Sequence, residues 1–81
     1  MPGPSPKVSD TEFMREMVLT ETPVVTASEM ADKLGMSRQN ANYRLKSLEK
    51  QGYVGRKEVG SRAVVYWVTD EGKEVLFKSD G

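Results

Sequence analysis

Ser37-Arg-Gln-Asn-Ala-Asn-Tyr-Arg-Leu-Lys-Ser-Leu-Glu-Lys-Gln-Gly-Tyr53 is the stretch from which the rest of the chain is read. Ser37 suits an N-cap, because its hydroxyl can accept from an unpaired amide of the first helical turn. Gly52 suits the left-handed residue that closes a helix, so the punctuation predicts one helix from Arg38 to Gln51. At 100° per residue from Arg38, the apolar Leu48, Ala41 and Leu45 fall at about 280°, 300° and 340°, whereas Asn42, Lys46, Gln39, Lys50 and Tyr43 fall between about 40° and 140°. One face is a core stripe. The other offers two carboxamides, two ammonium groups and a phenol, the chemistry that meets base edges and phosphates in a DNA groove. Any solvated helix face is polar as well, so the flanking sequence must decide between the two readings.

The chain has 81 residues, enough for one small domain with a modest core. It has no cysteine and no histidine. That removes disulfides, thiolate and imidazole metal sites, cysteine nucleophiles and the usual general base, so neither metal nor cofactor is expected. The serines lack a histidine base, and Asp70, Glu71 and Glu74 read as charges compensating a helix N-terminus, which makes an enzyme the least favoured class. Apolar runs such as Ala63 to Val68 are too short to span a bilayer, and the start lacks the apolar core of a signal peptide. The expected location is the cytoplasm, on the nucleoid when DNA is bound.

The formal net charge is zero, but it is unevenly distributed. Residues 1–36 carry −3, residues 37–62 carry +5 from seven cations against Glu49 and Glu58, and residues 63–81 carry −2. A basic middle between acidic ends can attract and orient a polyanion whatever the total.

Met1 to Ser9 contains three prolines and a glycine and reads as a disordered N-terminal arm over residues 1–9. A helix is expected from Asp10 to about Leu19 or Thr20, capped by Ser9 or Asp10, with Phe13, Met14, Met17 and Val18 as its apolar stripe. Pro23 stops helix formation, and Val24-Val25 is a short extended piece able to add a minor strand. Thr26-Ala-Ser-Glu29 is a capping box that opens a helix to Leu34, apolar at Ala27, Met30, Ala31 and Leu34 and closed by Gly35. Only Gly35 and Met36 separate it from Ser37, so two short helices turn sharply on one another, with Ala31 and Ala41 small enough for close approach. This is a helix-turn-helix signal that plain helical hairpins share in part.

After Gly52 the period changes to alternation. Tyr53 to Val59 and Arg62 to Thr69 read as a hairpin around a two-residue type II′ turn at Gly60-Ser61, which pairs residues whose numbers sum to 121. That register puts Tyr53, Gly55, Lys57, Val59, Arg62, Val64, Tyr66 and Val68 on one face, with Tyr66 over Gly55 and Tyr53 across from Val68, and this face, near its base, is assigned to the core. Val54, Val65 and Trp67 fall on the other face. Trp67 there is either half buried against a terminal segment or part of a subunit interface. Thr69 and Asp70 can cap a last helix to about Lys78, so the ordered domain is expected over residues 10–78 with a frayed end over 79–81.

The order of elements is that of a winged helix-turn-helix, an α+β fold with a three-helix core, a two-stranded wing and a short final helix. "TASEMADKLGMSRQNANYRLKSLEKQGYV" resembles the helix-turn-helix of MarR-like, ArsR-like and many archaeal regulators, and "YWVTDEG" resembles their joint after the wing. The resemblance implies that residues 38–51 form the recognition helix and residues 58–63 the wing tip. Carried over by position, it implies Gln39, Asn42 and Tyr43 at base edges and Arg38 and Lys46 on phosphates or guanine. Arg62 would reach a minor groove or the backbone, flanked by Arg56 or Lys57, and Ser37 would act as both cap and phosphate donor. Arg44, at about 240° beside the core stripe, is assigned a structural role. The wing is short, there are no long flanking helices for the large MarR-like dimer layer, and the ligands of an ArsR-like metal sensor are lacking.

The expected function is therefore that of a sequence-preferring double-stranded DNA binder in transcription, able to form a homodimer. The alternative is a winged-helix protein-interaction module using the Val54, Val65 and Trp67 face.

Overall fold

Four helices and one hairpin follow each other in the computed structural model, which describes residues 8–79. Helix α1 (Asp10–Leu19) starts where the Ser9 hydroxyl accepts from the Glu12 amide at 3.1 Å. Phe13, Met14 and Met17 are buried. Val18, expected with them, is 47% exposed. It lies about 140° around the helix from Phe13, past the edge of the stripe. Val8 packs against the core, so Val8 and Ser9 of the expected arm contact the domain. The rest of that arm, and the expected frayed end beyond Ser79, lie outside the described residues.

After α1 the chain turns at Thr20, whose hydroxyl donates to the carbonyls of Met17 and Thr22. The minor strand is realised at one residue. Val25 exchanges two backbone hydrogen bonds with Tyr66, at 2.9 and 2.8 Å. Helix α2 (Ala27–Leu34) opens on the capping box in both directions: the Thr26 hydroxyl accepts from the Glu29 amide at 3.1 Å, and the Thr26 amide donates to the Glu29 carboxylate at 2.8 Å. Helix α3 (Arg38–Lys50) follows after Gly35 and Met36, with Ser37 accepting from the Asn40 amide at 3.0 Å. Gln51 serves as its C-cap. Ala41, Leu45 and Leu48 are fully buried.

Strands β1 (Val54–Val59) and β2 (Ala63–Val68) form the antiparallel hairpin in a register one residue from that expected. Val54 faces Val68, Gly55 faces Trp67, Arg56 faces Tyr66, and Val59 faces Ala63 across a three-residue loop, Gly60 to Arg62. Because side chains alternate with a period of two, one added loop residue exchanges the two faces of β1 relative to β2. Burial favours the observed register, since it places Val54 beside Tyr66 and Val68 in the core and turns Lys57 outward. Glycine at 55 makes room for the indole. A Cβ there would lie 2.4 Å from Cε2 of Trp67.

Thr69 locks the hairpin to the end of α3 and starts α4 (Asp70–Ser79). Its hydroxyl donates to the Gly52 carbonyl at 2.7 Å and accepts from the Gly72 amide at 3.1 Å, while its own amide donates to the Tyr53 carbonyl at 3.0 Å. Gly72 sits so close to this turn that a Cβ would lie 2.3 Å from the Tyr53 carbonyl oxygen. The Thr-Asp-Glu-Gly sequence thus combines a cap with a close backbone approach. Leu76 of α4 completes the core, whereas Phe77 is 74% exposed.

Candidate nucleic-acid interface

The buried stripe of α3 fixes which side of the helix faces outward, and Arg44 fixes its rotation from the flank. The Arg44 guanidinium donates to the Val8 carbonyl and pairs with Asp10 at 3.0 Å, and it lies 5.5 Å from the centre of the Phe13 ring. The structural role read from its angle is the one it has. Arg38, Gln39, Tyr43, Lys46 and Lys50 are left exposed on the outer side, with Asn42 half buried among them.

A cleft of about 340 Å³ opens between this side of α3, the start of α2 and the hairpin. Arg38, Asn42 and Lys46 line it from α3, one helical turn apart, Arg56 and Arg62 from the hairpin and its loop, and Thr26 and Ser28 from the start of α2. Four cations therefore converge on a wall that carries no carboxylate. Glu58, its side chain 74% exposed, lies 3.7 Å from Arg56, where solvent screens the pair. The floor is Tyr66, which is 2% exposed and whose hydroxyl donates to Oδ1 of Asn42 at 3.3 Å. Such a cleft can take polyanion phosphates on its cationic rim and hydrogen-bond to groove edges from its centre.

Five of the residues singled out from sequence meet here: Arg38, Asn42, Lys46, Arg56 and Arg62. Ser37, Gln39 and Tyr43 are exposed on or beside α3 without lining the cleft, Tyr43 at 71%. Lys57 lies on the opposite face of the hairpin, across from Val65. The partner face built on Val54, Val65 and Trp67 is corrected. Val54 is 2% exposed and points to the other side, because the register is shifted by one. Val65 and Trp67 are half buried, with the indole over Gly55 and beside Met17, Val18 and Pro23. Thr26, Ser28 and Tyr66 joined the site without having been foreseen. The capping box could have indicated the first two, since it sets them at the N-terminus of α2, the positive end of the helix dipole, whereas Tyr66 required the register.

Among the described residues there is no group of acidic, histidine or cysteine side chains that could hold a metal ion, and no helix long and apolar enough to cross a membrane.

A family model described as winged helix-turn-helix DNA-binding matches residues 18–54, from the end of α1 to the first residue of β1. The riboflavin kinase of Thermoplasma acidophilum is 40% identical over 53 residues, which make up 65% of this chain and 24% of that protein. The chain therefore corresponds to about a quarter of that relative's length. Among solved structures, a point variant of MepR from S. aureus superposes with a TM-score of 0.77 at 14% identity, covering 85% of this chain and 51% of that one. AbsC, a MarR family transcriptional regulator from Streptomyces coelicolor, gives 0.76 at 19%, covering 88% and 49%. FabT of Streptococcus pneumoniae, solved in complex with DNA, gives 0.75 at 20%, covering 94% and 53%. At these identities the superpositions show a shared fold, in which this chain spans about half of each protein.

Proposed function

We propose that this winged helix-turn-helix domain is a sequence-preferring double-stranded DNA binder acting in transcription. In this reading α3 enters the major groove and residues 58–63 rest on the minor groove or backbone. The observation that carries it is the convergence of Arg38, Lys46, Arg56 and Arg62 on one carboxylate-free cleft in a chain of zero net charge. Gln39 and Tyr43 extend the contact along α3, Ser37 donates to a phosphate with the hydroxyl proton its cap leaves free, and Lys57 serves the backbone from the outer face of the wing.

The domain acts in the cytoplasm on nucleoid DNA, as a binder and not as an enzyme. In support, the sequence has no histidine or cysteine, and Asp70 and Glu71 lie in the first turn of α4, where they compensate the helix dipole. The kinase activity of the Thermoplasma relative is named for a protein four times the length of the matched segment, and the reading does not carry it over. Two copies would meet through α1 and α4, helices that pack together and leave Val18, Leu19 and Phe77 exposed. The alternative protein-interaction face loses its support with the burial of Val54.

The test is binding of a fluorescently labelled mixed-sequence duplex at stepped salt. Four neutralised phosphates give a log–log slope of about −3 to −4. The Gln39→Ala, Lys46→Ala double variant should lose binding while its circular-dichroism melt is unchanged. Salt-insensitive binding, or full binding by a folded double variant, would overturn the proposal.

A further inference from the structure

The contact between Tyr66 and Asn42 decides what Asn42 can read, an inference that rests on the DNA-binding reading above. Asn42 lies on the outer side of α3 between Arg38 and Lys46, one turn from each, and it is the half-buried member of that row. Its carbonyl oxygen Oδ1 accepts from the Tyr66 hydroxyl at 3.3 Å. Tyr66 cannot easily turn away from this bond. Its ring is buried in the core, its backbone exchanges two hydrogen bonds with Val25, and it stands opposite Arg56 in the hairpin ladder. The floor of the cleft is therefore a fixed donor aimed at the carbonyl half of one carboxamide.

A carboxamide is planar, with its oxygen and its NH2 on opposite arms. An asparagine reads adenine in the major groove by using both arms at once, accepting from N6–H and donating to N7. The Tyr66 hydroxyl takes one of the two lone pairs of Oδ1 and draws that arm to the buried floor of the cleft, so the arm turned outward to the groove is the NH2. For that NH2, guanine presents two acceptors, N7 and O6, and thymine one, O4, beside its methyl group, whereas adenine sets a donor beside its acceptor and cytosine presents a donor alone.

We propose that Tyr66 is a positioning residue that makes Asn42 a donor-only probe, so that the base pair under Asn42 is selected for guanine and against adenine. Tyr66 itself does not touch DNA. Its effect passes through one hydrogen bond, so the Tyr66→Phe variant, which keeps the ring and removes the hydroxyl, frees Oδ1 and restores adenine reading.

The experiment is selection from a pool of randomised double-stranded DNA by the wild-type chain, Asn42→Ala and Tyr66→Phe, followed by affinities on the selected duplexes. The expected wild-type result is guanine at one position whose preference Asn42→Ala abolishes. There, guanine should be bound about tenfold more tightly than adenine, and 7-deazaguanine should weaken binding. Tyr66→Phe should move that position towards adenine while leaving preferences elsewhere unchanged, a redistribution that general loosening of the core would not produce. Adenine preferred by the wild type at the Asn42-dependent position overturns the inference, as does a preference that a folded Tyr66→Phe leaves intact, or no position that depends on Asn42. The wild-type and 7-deaza measurements decide the matter even if the phenylalanine variant does not fold. If no duplex is selected by any of the three, the DNA-binding reading fails and the inference fails with it.

Discussion

The two ends of the hairpin are built on different principles. At its base, Val54 faces Val68 inside the core, Trp67 lies on Gly55, Tyr66 is bridged to Val25, and Thr69 fastens the strand end to the turn after α3. At its tip, residues 58–63 are all exposed, and Glu58 there makes a solvent-facing pair with Arg56. The base draws on three other parts of the chain, and the tip on little besides its own turn. Rigidity is placed where a side chain has to be aimed, under Asn42. Freedom is left where a basic loop has to follow a backbone whose path varies with sequence.

Substitutions can test how far this contrast extends. The largest effect is expected at Gly72. In an ordinary helix, glycine to alanine gains up to about 1 kcal/mol. Here the new methyl meets the Tyr53 carbonyl, so Gly72→Ala should lower unfolding free energy by about 2–3 kcal/mol in urea titration. A stabilised variant would show that the base is loosely fitted after all. Gly55→Ala comes next, at about 1–2 kcal/mol, because an indole ring can tilt away more easily than a carbonyl can retreat. At the tip, Gly60→Ala meets no neighbouring atom and pays only for its left-handed backbone, with φ at +66°. The expected loss is about 1 kcal/mol, the lower end for an alanine held in the left-handed region, and DNA affinity should change little. A loss as large as that of Gly55→Ala would erase the distinction between base and tip. Arg62→Ala should leave stability within about 0.5 kcal/mol while reducing the salt slope of DNA binding by about one. An unchanged slope would remove the tip from the DNA contact.

The same contrast explains what could be read from the sequence. The faces of α3 were legible because a helical period is set within the stretch itself. Ending the helix at Gln51 instead of Lys50 moves no side chain from one face to another. The hairpin had no such tolerance. Whether the loop had two residues or three was not written in Gly60-Ser61-Arg62, and the difference moved Val54 into the core and Gly55 beneath the indole. Arg44 could be separated from the DNA-facing residues by its angle, but its partners Asp10 and Val8 lie 34 and 36 residues away and were beyond any local pattern. The basic character of the site was legible from the charge between residues 37 and 62. The role of Tyr66 was not, since it depends on a register, a bridge to Val25 and a hydroxyl reaching α3 together.

Trp67 is the chain's one tryptophan, and the hairpin ladder sets it on the face opposite Tyr66 and the cleft. The fold therefore contains an optical label that a ligand in the cleft does not touch. Its emission senses the surroundings of the indole beside Met17, Val18 and Pro23, outside the hairpin, so a spectral change on adding duplex would report the wing moving as a body, while a constant spectrum would mean that binding leaves the hinge of the wing at rest.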